Sequence, residues 1–120
     1  MKKNELRAQV ATAVHACQDK KASDISVLQL DAQASGFTDY FVICTGANQR
    51  QVQAIAEEVG LAIKHQVHEL PHSLEGLQQA EWVLADYGDM IVHIFSPKSR
   101  EYYDLERLWR GAKAVEIPAA

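Results

Sequence analysis

Two apolar segments, residues 82–87 (Trp-Val-Leu-Ala-Asp-Tyr) and 90–95 (Met-Ile-Val-His-Ile-Phe), are separated only by Gly88-Asp89. No other feature of the chain restricts its fold as tightly. A two-residue loop with glycine first suits a type II′ turn, whose twist matches that of paired strands. The turn sets the register. Tyr87 lies opposite Met90, Ala85 opposite Val92 and Val83 opposite Ile94, all on one face of the hairpin. Trp82 with Phe95, Leu84 with His93 and Asp86 with Ile91 share the other face. The first set is apolar apart from one phenol and belongs beneath helices. The second mixes indole, aliphatic, imidazole and carboxylate groups, a composition that suits a recognition patch. The alternative is that another helix covers this face and Trp82 is core.

The remaining elements follow from periodicity and punctuation. Leu6, Val10, Val14 and Cys17 recur at helical spacing and predict a helix over 4–20. Residues 25–30 form a β-branched, apolar strand, and 31–39 with Ser35-Gly36 a loop. Residues 40–45 (Tyr-Phe-Val-Ile-Cys-Thr) are almost continuously apolar, as in a central strand covered on both faces. Gly46 ends that strand. Asn48 is a good N-cap with Gln51 as its capping-box partner. Val52, Ile55, Val59 and Ile63 stripe a second helix to about Gln66. The stretch to Glu81 is irregular, punctuated by Pro71 and Gly76, and has room for one optional strand, so that the element order is α-β-β-α-(β)-β-β-α. Ser96-Pro97 starts a third helix, in which Tyr102, Leu105, Leu108 and Trp109 share a face and which Gly111 ends. The expected fold is α/β (α+β), a mixed sheet of about five strands with flanking helices. One domain spans residues 1–113, and 114–120 form a loose tail.

A chain of 120 residues is long enough to bury a core, and its 48 % hydrophobic and 23 % charged content is that of a globular protein. Its net charge of −4 argues against a broad nucleic-acid surface, which needs a basic excess. Between His65 and Pro97 stand Glu69, Glu75, Glu81, Asp86 and Asp89 and no Lys or Arg; Lys98, Arg100, Arg107, Arg110 and Lys113 follow. Such an acidic middle is either a solvated face or one turned toward a basic partner. Cys17 and Cys44 lie in apolar stretches and read as buried free thiols. With no apolar signal core and no run of 18 apolar residues, the chain reads as soluble and cytoplasmic, with no membrane partner.

Three groups of residues invite chemistry. His65, His68 and His72 have a spacing that allows zinc or nickel on a helical face, but Pro71 ends any helix first. They read as solvated, with no metal assigned. Gly46 opens a helix where an anion can bind, while Asp86 and Asp89 could hold magnesium; together they would make a nucleotide-binding or nucleotidyl-transfer enzyme. Yet Asp89 is explained by the turn, and Gly46 by a tight strand-to-helix corner. Arg100, Asp104, Glu106, Arg107 and Arg110 read as i,i+4 pairs supporting the third helix.

Larger motifs carry a resemblance. Residues 38–46 (Thr-Asp-Tyr-Phe-Val-Ile-Cys-Thr-Gly), Arg50-Gln51-Val52, Glu75-Gly76, 82–89 (Trp-Val-Leu-Ala-Asp-Tyr-Gly-Asp), Val92-His93-Ile94-Phe95 and 100–109 (Arg-Glu-Tyr-Tyr-Asp-Leu-Glu-Arg-Leu-Trp) are similar to the ribosomal silencing factor, or Iojap-like, family. The likeness runs from about Leu6 to Trp109. It implies a nucleotidyltransferase-like topology without catalysis. It also implies docking on the large ribosomal subunit against ribosomal protein fourteen of that subunit, which blocks joining of the small subunit when nutrients are scarce. The residue matching Trp82 is then a contact for that protein. This chain has Gly46-Ala47-Asn48 where many relatives have Gly-Thr-Ser, and it lacks the nucleotidyltransferase signature of two acids one residue apart.

The expected function is therefore a non-enzymatic repressor of translation, with no cofactor and no small-molecule substrate. Its docking patch is Trp82, Leu84, Asp86, His93 and Phe95, with Trp82 as anchor. An exposed face of this kind can also pair with itself, giving a homodimer of the free protein.

Overall fold

The turn at Gly88-Asp89 forms as the spacing predicts. Gly88 has a φ of +88°, and the Tyr87 N–H donates to the Met90 carbonyl at 2.8 Å. In the computed structural model, which describes residues 3–31, 36 and 38–118, the elements run α1 (Lys3–Asp19), β1 (Ser23–Gln29), β2 (Tyr40–Thr45), α2 (Gln49–Val67), β3 (Ser73–Glu75), β4 (Trp82–Asp86), β5 (Met90–Phe95), α3 (Pro97–Tyr103), α4 (Leu105–Leu108) and β6 (Lys113–Ala114). Most of the predicted loop at 31–39, residues 32–35 and 37, lies outside the described residues.

One mixed sheet carries the strands in the order β3-β4-β5-β2-β1-β6. β4 and β5 pair antiparallel in the expected register, Trp82 opposite Phe95 through Asp86 opposite Ile91. β2 runs parallel to β5, with Tyr40 beside Met90 and Thr45 beside Phe95. Its six residues are all buried, because β1 and β5 flank it and both faces are covered. The turn is tied to the start of β2: Thr38 Oγ1 donates to the Gly88 carbonyl at 3.0 Å, and the Asp39 and Tyr40 N–H groups reach the Asp89 carbonyl.

Alternation gives each face its own core. Val83, Ala85, Tyr87, Met90, Val92 and Ile94 pack beneath α1 and α2, as expected. α2 turns its predicted stripe, Val52, Ile55, Val59 and Ile63, into that layer. Its N-terminus is capped by Asn48, whose side chain accepts from the Gln51 N–H at 2.9 Å. Gln51 reaches back to the Ala47 N–H rather than to Asn48, and its amide donates to the Lys20 and Lys21 carbonyls at 3.0 Å, joining the end of α1 to the start of α2. Gly46 is required at the corner, since a Cβ there would stand 2.8 Å from Val52 Cγ2. Cys17 and Cys44 are buried and free, their sulfurs 3.8 Å apart across the α1–sheet interface.

The optional strand of the irregular stretch before Glu81 forms as the edge strand β3, antiparallel to β4. Two expectations are corrected. The third helix is two helices, because Asp104 takes a left-handed conformation (φ +46°) and resets the helical phase. Tyr102 and Leu108 consequently leave the apolar stripe and point to solvent, while Leu105 stays buried. The tail is not loose as far as it is described: Lys113 and Ala114 pair with β1, Val115 and Ile117 pack on the helix-side core, and the Pro118 carbonyl meets the His15 ring at 2.9 Å.

Gly76 has a φ of +83°, and a Cβ on it would lie 2.1 Å from the Trp82 carbonyl oxygen. Gly60, within α2, has nothing within 4 Å of a built Cβ. Gly76→Ala should lower stability by at least about 2 kcal/mol through strain and clash. Gly60→Ala should raise it by about 0.5–1 kcal/mol through helix propensity. Urea unfolding of both variants checks the pair; equal effects would contradict the backbone assignment.

Candidate partner-docking face

The face opposite α1 and α2 is only partly covered. The C-terminal segment lays Leu105 over Leu28, Leu30, Phe41, Ile43, Ile91 and Phe95, with Trp109 and Ala112 at the margin. It is held by a part-buried polar hinge. The Arg100 guanidinium donates to Thr45 Oγ1 at 2.9 Å and forms an ion pair with Glu106 across the helix break, and Ser26 Oγ donates to the same carboxylate at 3.2 Å. Burial works to raise the Glu106 pKa, but the Arg100 contacts outweigh it and hold the carboxyl below its ordinary value. These charges were expected as i,i+4 pairs along one helix. The Arg100–Glu106 pair instead spans the break at Asp104 and ties α3 and α4 to β1 and β2.

Toward β4 the cover ends, and the face becomes an aromatic shelf. Trp82 is half-buried at the first position of β4. Its ring stacks on Phe95 with centroids 5.1 Å apart and meets Tyr103 at a tilt of 43° with centroids 4.5 Å apart; Tyr102 meets Tyr103 edge-on at 5.0 Å. Its Nε1–H donates to His93 Nδ1 at 3.1 Å. Leu84 is half-buried beside it, paired with Glu75 of β3, whose exposed carboxylate edges this face. Asp86, also half-buried, accepts the Gly88 N–H at 2.8 Å and so caps the hairpin turn.

The five predicted patch residues divide. Trp82, Leu84 and Asp86 reach the surface. His93 (3 % exposed) and Phe95 (0 %) do not and are corrected from contact residues to supports for the indole. The alternation that puts all five on one face says nothing of what lies above it, and Trp82, Leu105 and Tyr103 cover β5. Accepting the indole proton requires neutral His93 with its own proton on Nε2, which has no hydrogen-bond partner among the described residues. The ring meets Phe41 edge to face at 4.5 Å. Burial lowers the His93 pKa to about 4, so the acceptor persists at neutral pH. Tyr103 and Tyr102, 46 % and 80 % exposed, extend the shelf and were not foreseen as contacts. A signal was available, since two successive tyrosines cannot both lie on one buried helical stripe.

The other constellations are not assembled. Gly46 sits at the Phe95 end of β5, where its N–H reaches the Phe95 carbonyl, whereas Asp86 and Asp89 sit at the Met90 end. Four to five strand residues, roughly 13–17 Å, separate them. His68 caps α2 in a left-handed conformation (φ +59°), and His72 packs against Gly88. No three His, Cys, Asp or Glu side chains gather for a metal among the described residues. The Cys44 thiol is pushed up by its hydrogen bond to Cys17 and by burial, away from nucleophilic use. No described helix is long and apolar enough to cross a membrane.

The folded-state pKa of His93 lies below its ordinary 6.5, so the unfolded chain takes up the proton first. Stability is full above pH 6.5 and should fall by roughly 1.4 kcal/mol per unit as pH drops toward 4. The Glu106 contribution disappears only below the ordinary carboxylate range. Denaturant titrations across this window should show the slope in the wild type and its loss in His93→Phe; an unchanged slope in the variant would sink the assignment.

A family model described as ribosomal silencing factor during starvation matches residues 3–120. A ribosomal silencing factor from Halalkalibacterium halodurans is 45 % identical over 105 residues, covering 88 % of each chain. The mouse protein called mitochondrial assembly of ribosomal large subunit protein 1 is 34 % identical over 94 residues, covering 77 % of this chain and 41 % of that one. A crystal structure of a Chromobacterium violaceum protein superposes with a TM-score of 0.81 at 32 % identity, covering 95 % of this chain and 92 % of the other. Since the family's model spans the hairpin, the aromatic shelf and the C-terminal cover alike, the chain belongs to the ribosomal silencing factor family.

Proposed function

We propose that this protein binds the large ribosomal subunit through its Trp82 face, against ribosomal protein fourteen of that subunit, and sterically blocks association of the small subunit. Translation is thereby lowered under nutrient limitation. The observation that carries this reading is the presentation of Trp82. Its indole is half-open, stacked on Phe95, in tilted contact with Tyr103, and locked by a hydrogen bond to a buried imidazole. Tryptophan in such a setting is a typical binding anchor, because little side-chain freedom remains to be lost on docking. The edging acids Glu75 and Asp86 suit a basic protein partner better than bare phosphate. Obstruction requires no catalytic group, and the reading is non-enzymatic, without cofactor or metal, for a protein working in the cytoplasm. When free, the same face is available for pairing with a second copy.

Trp82→Ala should weaken binding to purified large subunits by about 2 kcal/mol or more, roughly 30-fold, in co-sedimentation. It should also release the block in a subunit-joining assay, while circular dichroism shows a folded protein. A folded Trp82→Ala protein that co-sediments as fully as the wild type would refute the docking assignment. Tyr102→Ala, at an exposed position outside the core, gives a second reading of the same face.

A further inference from the structure

Among the described residues, the large apolar side chains left exposed fall into two patches on opposite faces. Tyr102, Tyr103 and Leu108 belong to the C-terminal segment beside Trp82. Leu61, Leu70, Leu74 and Leu77, between 38 and 68 % exposed, line a trench of about 750 Å³ on the helix side. One wall is α2, the other is Leu70, Leu74 and Leu77, and Ala85 and Tyr87 form the floor. The trench exists because two helices cannot span this sheet: α1 and α2 lie over the strands from β1 to β4, and β3 at the edge is left without a helix above it.

We propose that this trench docks an amphipathic helix, about three turns long, from a partner protein. Four observations carry the choice of occupant. The α2 wall runs from Gln53 to Lys64, about 16 Å of helix, which matches three turns. Its small residues Ala56 and Gly60 face the trench four positions apart, and a Cβ on Gly60 would meet nothing within 4 Å, so a helix backbone can approach closely. A mid-helix glycine costs stability that packing within this chain does not require. The opposite wall is fixed before anything binds, because Gln53 and Gln49 of α2 donate to the Leu77 and Gln78 carbonyls at 3.0 and 2.9 Å.

Charge and symmetry define the partner further. Glu57 and Lys64, exposed and seven residues apart, stand along the trench. The complementary helix has an apolar stripe with a base and an acid seven residues apart at its rim. A second copy does not supply it: among the described residues the stripes of α1 and α2 are already buried, and α3 has only seven residues. The site is independent of the Trp82 face, so a molecule seated there could carry a second protein on its far side.

The test uses the full chain and a fluorescein-labelled synthetic helix with leucines at i, i+3, i+4 and i+7 and a lysine and a glutamate seven residues apart. Anisotropy should give a dissociation constant of about 10 μM or tighter, and amide shifts should map to α2, β3 and Leu70. Gly60→Leu, which fills open space, should weaken binding at least tenfold while keeping or raising the melting temperature. Glu57→Lys should weaken it without touching the core, and Trp82→Ala should leave it unchanged, which separates this site from the ribosome-docking reading. Equal binding by Gly60→Leu, equal binding of a scrambled peptide, or shifts on the Trp82 face would overturn the proposal. So would a wild-type dimer in sedimentation that Gly60→Leu abolishes, since the occupant would then be a second copy.

Discussion

Everything in this molecule depends on the register of one hairpin. With only Gly88 and Asp89 between the strands, a slip of one residue would exchange the two faces, carrying Trp82 and His93 under the helices and Val83 and Val92 out. The register is secured from outside as well. Thr38, Asp39 and Tyr40 bond to the turn's carbonyls, the Asp86 carboxylate accepts the Gly88 N–H, and His72 donates its N–H to the Asp86 carbonyl. The parallel partner β2 and the antiparallel partner β4 are thus both aligned to β5, and the edge strand β3 is aligned to β4.

The two faces are closed by different physics. Toward α1 and α2 the cover is apolar and nearly complete except above β3. On the other side it is a short C-terminal segment held by a hinge of hydrogen bonds and one ion pair. Arg100 and Glu106 are half to largely buried, so their pairing is worth more than a surface pair and also more costly to break. The hinge stops short of β4, and there an indole remains accessible. His93 links the layers: its pKa is depressed because it is buried, and burial keeps it neutral to receive the Trp82 N–H.

An accessible indole on an aromatic shelf with acids at its edge has the composition of a recognition surface. Gly46 lies at one end of β5 and Asp86 and Asp89 at the other, so these three residues do not come together as the nucleotide-binding alternative requires.

The hairpin, its two faces, the central β2 strand, the capped stripe of α2 and Trp82 as a candidate anchor were all legible in the residues. Each rests on local rules: a two-residue turn, alternation along a strand, a 3.6-residue period. What escaped was whatever required knowing a neighbour. β3 was legible only as an optional strand, because its three residues are a strand by virtue of β4 beside them. Asp104 becomes left-handed where the chain bends to bring Glu106 back onto Arg100, and that bend turns Tyr102 and Leu108 outward. Val115 and Ile117 look like tail until β1 and α1 provide a surface for them. Spacing places Trp82, Leu84, Asp86, His93 and Phe95 on one face; only the tertiary structure decides which of them remain uncovered, because burial is a property of what packs across a face and not of the strand that bears it.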